Sequence, residues 1–298
     1  MIYNKPPLPI SEQIDLLESR DLVISNKSEA ESYLNNISYY RLSAYMLPFQ
    51  LPNTNHQFIA GTHFDQIIDL YIFDRQLKLL VFDAIERIEI AVRTQIIYQL
   101  ALKYGSHWQD DASIFNNQNT FNKLQKDIKE HCDQNNREVF IDHYLNKYTT
   151  PRTPPSWMSM EIVTMGQLSK TYKALKIKQD KKDIAAYFGL FPTVFESWMH
   201  STSYIRNICA HHARLWNRDL GVQPVLLQSP QKAWINLHYN NNRRIFYYLC
   251  CLRYLLLTVN AGSHFTQKVK DLLAKHPNIP TQFMGFYGDW ENEPLWQM

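Results

Sequence analysis

From residue 64 to 104 no proline or glycine interrupts FDQIIDLYIFDRQLKLLVFDAIERIEIAVRTQIIYQLALKY, and apolar residues fall on nearly every side of the helix this allows. The pattern predicts one long, central, heavily buried helix, or two in close succession. Ahead of it, Ser11 can cap a short helix through Ser19 that carries Ile14, Leu16 and Leu17. Ser28 with Glu31 makes a capping-box pattern before SYLNNISYYRLSAYMLPF, whose helix should stop near Pro48. Residues 50–63 read as a loop. Residues 105–150 are polar and Asn-rich, with helices expected around 121–132 and 137–148. After the loop TTPRTPPSW, Ser156 can cap a helix through about Ala174, and a shorter one covers 181–188. Pro192, suited to a first turn, opens a helix running to about Asn217. DLGVQPVLLQSP is a connector, and one more long helix is expected over 234–261.

The fold class these elements imply is all-α, a helical bundle with additional N-terminal helices and a polar helical insertion. It is expected to form a single all-helical unit: N-terminal helices in 11–50, core helices in 64–104 and 156–262, the insertion in 105–150 and a tail in 263–298. Composition agrees, since 45% of the 298 residues are hydrophobic, 13% are aromatic and only eight are glycine, which excludes disorder and a turn-rich β architecture. The longest apolar tract, 245–259, is interrupted by Arg253 and falls short of the ~20 residues of a membrane span. MIYNKPPLPI has no basic start followed by an apolar run and so does not read as a secretory signal. A soluble, cytoplasmic protein without a membrane partner is expected. Cys132, Cys209, Cys250 and Cys251 show neither CxxC pairing nor zinc spacing, so they are expected as free, buried thiols.

Charge alters the picture once it is divided along the chain. The net charge is only +3, but residues 197–270 hold nine basic residues and one acid, Asp219, a net of +8 that leaves −5 for the rest. This points to a polyanionic partner such as RNA, although a basic face packed on acids of the same chain would give the same count.

The segment opens with YIRNICAHHARLWNR. Continued as a helix at about 100° per residue, it puts Asn207, His211, Arg214 and Arg218 on one narrow polar stripe, with Arg206 on its flank. His212 falls instead among Ile205, Ile208, Cys209, Leu215 and Trp216, as a core histidine. An imidazole can take a proton from an RNA 2′-hydroxyl or deliver one to the leaving 5′-oxygen, and a guanidinium can stabilise the charge of the phosphorane. No metal or other cofactor is required, because RNA carries its own nucleophile. Adjacent histidines about 100° apart cannot both ligate one ion, which argues against a metal site. One imidazole cannot easily act on both sides of the phosphorus, so a homodimer that joins two copies would complete the chemistry. Spacing alone decides little, since Arg137 and His143 in REVFIDH fit the same loose pattern. Catalysis, phosphate binding without catalysis, and a solvated or packed helix face all remain open on these residues. Arg243 and Arg244, directly before the last apolar run, extend the candidate phosphate contacts. In AIERIEIAVRTQI, Glu89 and Arg93 are spaced as a helical ion pair, while Glu86 or Arg93 could instead face the arginine–histidine helix and support it. Arg41 in YYRL reads as an anchor of the N-terminal helix.

IRNICAHHARLWNR resembles the signature of the Abi-like (AbiD/AbiF) abortive-infection proteins of bacteria, within the HEPN superfamily of all-helical domains. LLESRDLVISN, ISYYRLSAYMLPF, PPSWMSMEIVTMGQLSKTY and FMGFYGDWENEPLW are similar to further blocks of that family in the same order. The resemblance implies a metal-independent endoribonuclease with a composite active site between two copies, a role in phage defence, and Arg206, Asn207 and His211 as the catalytic residues. It also implies control in some members by a protein antitoxin or a structured non-coding RNA, and it leaves as the alternative a non-catalytic scaffold that binds RNA or a partner.

Overall fold

A computed structural model describes residues 6–135 and 137–297. The reading of a missing leader falls partly on residues 1–5, outside the described residues. The fold is all-α, with isolated bridges and no strand among the described residues. In chain order the helices are α1 (Ile10–Glu18), α2 (Lys27–Ile37), α3 (Tyr39–Met46), α4 (Phe64–Tyr104), α5 (Gln118–Asp133), α6 (Val139–Lys147), α7 (Ser156–Ser159), α8 (Met165–Lys173), α9 (Lys178–Tyr187), α10 (Pro192–Ala210), α11 (Ile245–Val259) and α12 (Phe265–Lys275). Residues up to Leu77 together with Asp271–Ile279 form one compact unit, and Lys78–Lys270 with the segment from Pro280 onward forms a second; α4 and α12 each contribute to both.

In the first unit Leu17, Leu34, Leu42, Ile67 and Phe73 are fully or almost fully buried. Tyr45 donates to the buried Asp74 at 2.7 Å. Three local expectations need correction here. α1 begins at Ile10 behind Pro9, so Ser11 lies inside its first turn and does not cap it. The box before α2 is Asn26 with Glu29, displaced from Ser28 and Glu31, because the extended backbone at Asn26 sets its side-chain oxygen under the Glu29 N–H at 3.2 Å. The helix expected to run to Pro48 breaks at Ser38 (φ 69°), which caps α3 through the Arg41 N–H.

In the second unit α10 packs on α8, and α11 is buried on all sides from Ile245 to Leu256. The closing residues form an aromatic cap over it, with Phe246 4.5 Å from Phe286 and edge-on to Trp290. Gly285 (φ 91°) is required there, since a Cβ would lie 2.8 Å from Cβ of Arg244. All four cysteines are free and buried, and burial pushes the Cys250 and Cys251 thiols up.

α4 is one helix about 60 Å long at 1.5 Å per residue. It is not buried on every side: Leu79, Ile90, Tyr98 and Leu102 are more than half exposed, although buried positions recur along its whole length from Phe64 to Leu100. Arg93 is 7% exposed, donates from Nη1 to the carbonyls of Met160 and Val163, and pairs with Glu89 at 2.9 Å. Held this way, the 160–163 turn cannot continue a helix from Ser156. α7 therefore ends after one turn and α8 starts separately, capped by Thr164. The last long helix starts at Ile245 rather than near Trp234, because backbone groups of residues 234–244 find other partners: the Asn236 N–H donates to Glu293, the His238 N–H to the Asn236 side chain, and the Arg243 carbonyl accepts from the Leu220 N–H. The expected tail carries α12, whose Phe265, Val269 and Leu272 share one buried face.

Arg93→Ala would strand two buried carbonyls and Glu89 together. The expected loss is about 3 kcal/mol of unfolding free energy, measured by urea denaturation.

Candidate active site

Pro192 occupies the first turn of α10, and Phe195, Trp198, Met199, Thr202, Ile205 and Ile208 line its buried face at helical spacing. The helix ends at Ala210, seven residues before the expected stop. The N–H of Ala213 returns to the Ile208 carbonyl at 3.0 Å and that of His212 to Cys209 at 3.1 Å, with His212 left-handed at φ 56°. This is a Schellman turn with histidine in the place glycine usually takes. A left-handed non-glycine residue costs roughly 1–2 kcal/mol. Leu215 and Trp216, which the turn leads into full burial, return roughly 1.5–3 kcal/mol each and outweigh it.

The turn corrects the helical stripe. The His211 N–H still bonds to the Asn207 carbonyl at 2.9 Å, so these two exposed residues remain one turn apart on one face. Arg214 and Arg218 no longer share that face, since the chain has left the helix; Arg218 folds back to donate to the Arg214 carbonyl at 3.1 Å. His212, expected in the core, is exposed. Arg206 is half-buried in the last turn of α10, with its guanidinium carbon 5.8 Å from the ring centre of Phe82 on α4. Arg206, Asn207 and His211 thus stand together at the C-terminal end of α10.

Of the supporting residues, Arg93 does not face this helix end, being committed to the 160–163 turn. Glu86 is exposed on α4, one turn from Phe82 and on the same face. Phe82 was not foreseen from sequence; the only signal was its position four residues before Glu86.

Arg243 and Arg244 lie outside any helix, with Arg244 as the N-cap residue of α11. The structure brings them to the stretch after α10. The Leu220 N–H bonds to the Arg243 carbonyl at 2.9 Å, and Arg244 donates to Asn217 at 3.0 Å. Arg243 grips Asp219 with two nitrogens, at 3.0 Å and 2.7 Å, and holds its carboxyl below the usual range. Other cations of the basic segment also meet acids: Lys268 lies 3.6 Å from Asp83 and Lys270 3.8 Å from Glu291, while Arg253 is 2% exposed. Part of the +8 excess is therefore balanced within the chain.

The connector between α10 and α11 is pinned by Lys232, whose ammonium donates to the Phe188 carbonyl at 3.0 Å and to Thr258, 4.8 Å from the ring centre of Tyr254. Burial pushes this amine down to about 8.

These features define an all-helical protein that presents arginine, asparagine and histidine at one helix end, backed by a long helix. The family model described as Abi-like protein matches residues 32–217, more than half of the chain and a span that contains Arg206, Asn207 and His211. The chain belongs to the Abi-like protein family, which points to abortive-infection phage defence. Neither a curated protein nor a solved structure matches it. Among the described residues no helix is long and apolar enough to cross a membrane.

His212 holds the left-handed position of the turn, so His212→Val should lower the unfolding free energy by about 1 kcal/mol more than His212→Gly does, as measured by urea denaturation. Lys232 generates a pH effect of definite sign. From about pH 8 to the ordinary lysine value of 10.5 the unfolded chain holds a proton that the folded chain has released, so this residue's contribution to stability rises with pH. The stability difference between wild type and Lys232→Met should grow from pH 7.5 to 9.5, as read by urea denaturation at each pH.

Proposed function

We propose that the protein is a metal-independent endoribonuclease of the HEPN type, of the AbiD/AbiF kind, acting in bacterial phage defence by abortive infection. The observation that carries the reading is the grouping of Arg206, Asn207 and His211 at the end of α10, with the imidazole and the amide exposed and the guanidinium lying across Phe82. In the reaction a substrate 2′-hydroxyl loses its proton and its oxygen bonds to the adjacent phosphorus. The bond from phosphorus to the 5′-oxygen then breaks, and that oxygen takes a proton. The products are a 2′,3′-cyclic phosphate and a 5′-hydroxyl end. His211 is the proton carrier, Arg206 stabilises the phosphorane and Asn207 orients them. A second copy supplies the imidazole for the opposite side of the phosphorus, which makes the working form a homodimer.

RNA is the substrate, and Arg214, Arg218 and Arg244 beside this helix end suit flanking phosphates. Arg243 joins them only where a phosphate displaces it from Asp219. A protein antitoxin or a structured non-coding RNA is the class of partner that would restrain such an activity.

Arg206→Ala and His211→Ala should each lower RNA cleavage by at least ~100-fold with the fold intact, and EDTA should not inhibit. Cleavage that survives in His211→Ala sinks the mechanism. Steeply salt-dependent RNA binding with no cyclic phosphate product would instead make the protein a non-catalytic scaffold.

A further inference from the structure

The negative balance outside residues 197–270 hides a second basic stretch. Residues 170–182 hold six lysines and one acid, Asp180, which is 3% exposed and already bound by Lys103 and Tyr104 of α4. Lys170 and Lys173 stand in the last turn of α8, where the helix dipole favours cations. Lys176 and Lys178 have no such local reason: they precede and open α9, where the dipole opposes them and no side chain caps the helix. Lys182 follows Lys178 by one turn on the outward face of α9. These three are exposed, and among the described residues no acid lies within ion-pair distance of any of them. Asp183, exposed beside Lys182, accepts from Gln179 at 2.6 Å.

Helix α10 joins this patch to the candidate site. Glu196, the single acid of α10, lies 3.5 Å from Lys173 and 3.2 Å from Lys181, which neutralise it. From Glu196 the helical spacing carries His200, Asn207 and His211 along one sector about 60° wide, and these three are exposed. The stripe is roughly 22 Å long at 1.5 Å per residue. At its patch end Phe191, directly before α10, is 52% exposed, and Tyr187 is 46% exposed. Cations for phosphates beside bare aromatic rings for bases are the two parts of a surface for single strands.

We propose that α10 is the bed of one unpaired RNA strand, which lies along the stripe from His211 to Glu196 and is anchored beyond it by phosphate contacts to Lys176, Lys178 and Lys182 and by a base stacked on Phe191. A duplex keeps its base faces stacked on one another, so the ring selects an unpaired strand. With a phosphate about every 3.4 Å along a stacked strand, the stripe passes roughly six nucleotides before the lysines begin. The lysines therefore set how tightly a long strand is held and leave the bond-breaking groups untouched. The inference rests on the proposed function for placing the cut at His211, but strand binding is measured without cleavage.

Fluorescence anisotropy on the full chain tests it, with a 2′-O-methyl oligouridylate of about 12 nucleotides that lacks the attacking hydroxyl. The triple variant Lys176→Gln, Lys178→Gln, Lys182→Gln should weaken binding at least ~10-fold and lower the slope of log affinity against log salt by about two, with an unchanged circular dichroism melt. Phe191→Ala should weaken it by about 10-fold. The triple variant Lys123→Gln, Lys126→Gln, Lys129→Gln, which removes the same charge from exposed positions of α5, should bind like wild type. In cleavage of the matching all-ribose strand, the first triple variant should raise KM and keep kcat, and it should cut a dinucleotide as wild type does. A wild type that does not bind the strand, a first triple variant that binds it normally, or an equal loss in the α5 variant overturns the proposal. A lower kcat at unchanged KM also overturns it, by making the lysines part of the reacting site. Binding that needs the lysines but ignores Phe191→Ala replaces the unpaired strand with a polyanion gripped by charge alone. A strand held through the lysines and Phe191 that wild type does not cut sustains the bed and removes the ribonuclease reading alone.

Discussion

Two backbone hydrogen bonds at the end of α10, from His212 to Cys209 and from Ala213 to Ile208, set most of what surrounds the candidate site. They stop the helix while Asn207 and His211 still share a face, and they direct Leu215 and Trp216 into the core. They also send the chain outward so that residues 217–220 meet Arg243 and Arg244. Had the helix continued to Asn217, the same residues would have formed a straight polar stripe with His212 buried beneath it. The trade is local backbone strain against the burial of two large side chains, and burial is the larger quantity.

Electrostatics obeys the same logic of partners found at a distance. Counted along the chain, residues 197–270 carry a large positive excess; in three dimensions Asp83, Asp219 and Glu291 neutralise part of it. Of the rest, Arg253 is buried in α11 and Lys232 is held in the connector, while Arg206, Arg214 and Arg218 lie at or just after the end of α10. Arg93 shows the converse. Its ion pair with Glu89 is local and is set by spacing, but its bonds to the Met160 and Val163 carbonyls, which cut one expected helix into α7 and α8, join residues nearly seventy positions apart.

The long helix α4 ties architecture to chemistry. Its inner positions build core at every turn, while Phe82 meets the candidate site under Arg206. Apolar residues on nearly all sides of the sequence predict burial on all sides, yet Ile90, Tyr98 and Leu102 are more than half exposed.

Periodicity and the scarcity of glycine sufficed for the all-α class, for the continuity of α4, for the two helices of the polar insertion and for the grouping of Arg206, Asn207 and His211, because these depend on residues within a turn or two of each other. The end of α10, the break at Ser38, the split of α7 from α8, the late start of α11 and the exposure of His212 were not legible. Most are decided by burial or by a hydrogen bond to a distant segment, and no proline or glycine lies at Ser38, in residues 160–164, in residues 211–213 or in residues 234–244. Local chemistry determined which residues stand at the candidate site; only tertiary packing decided which of them face solvent together, because a helix ends where burying the next residues is worth more than another turn.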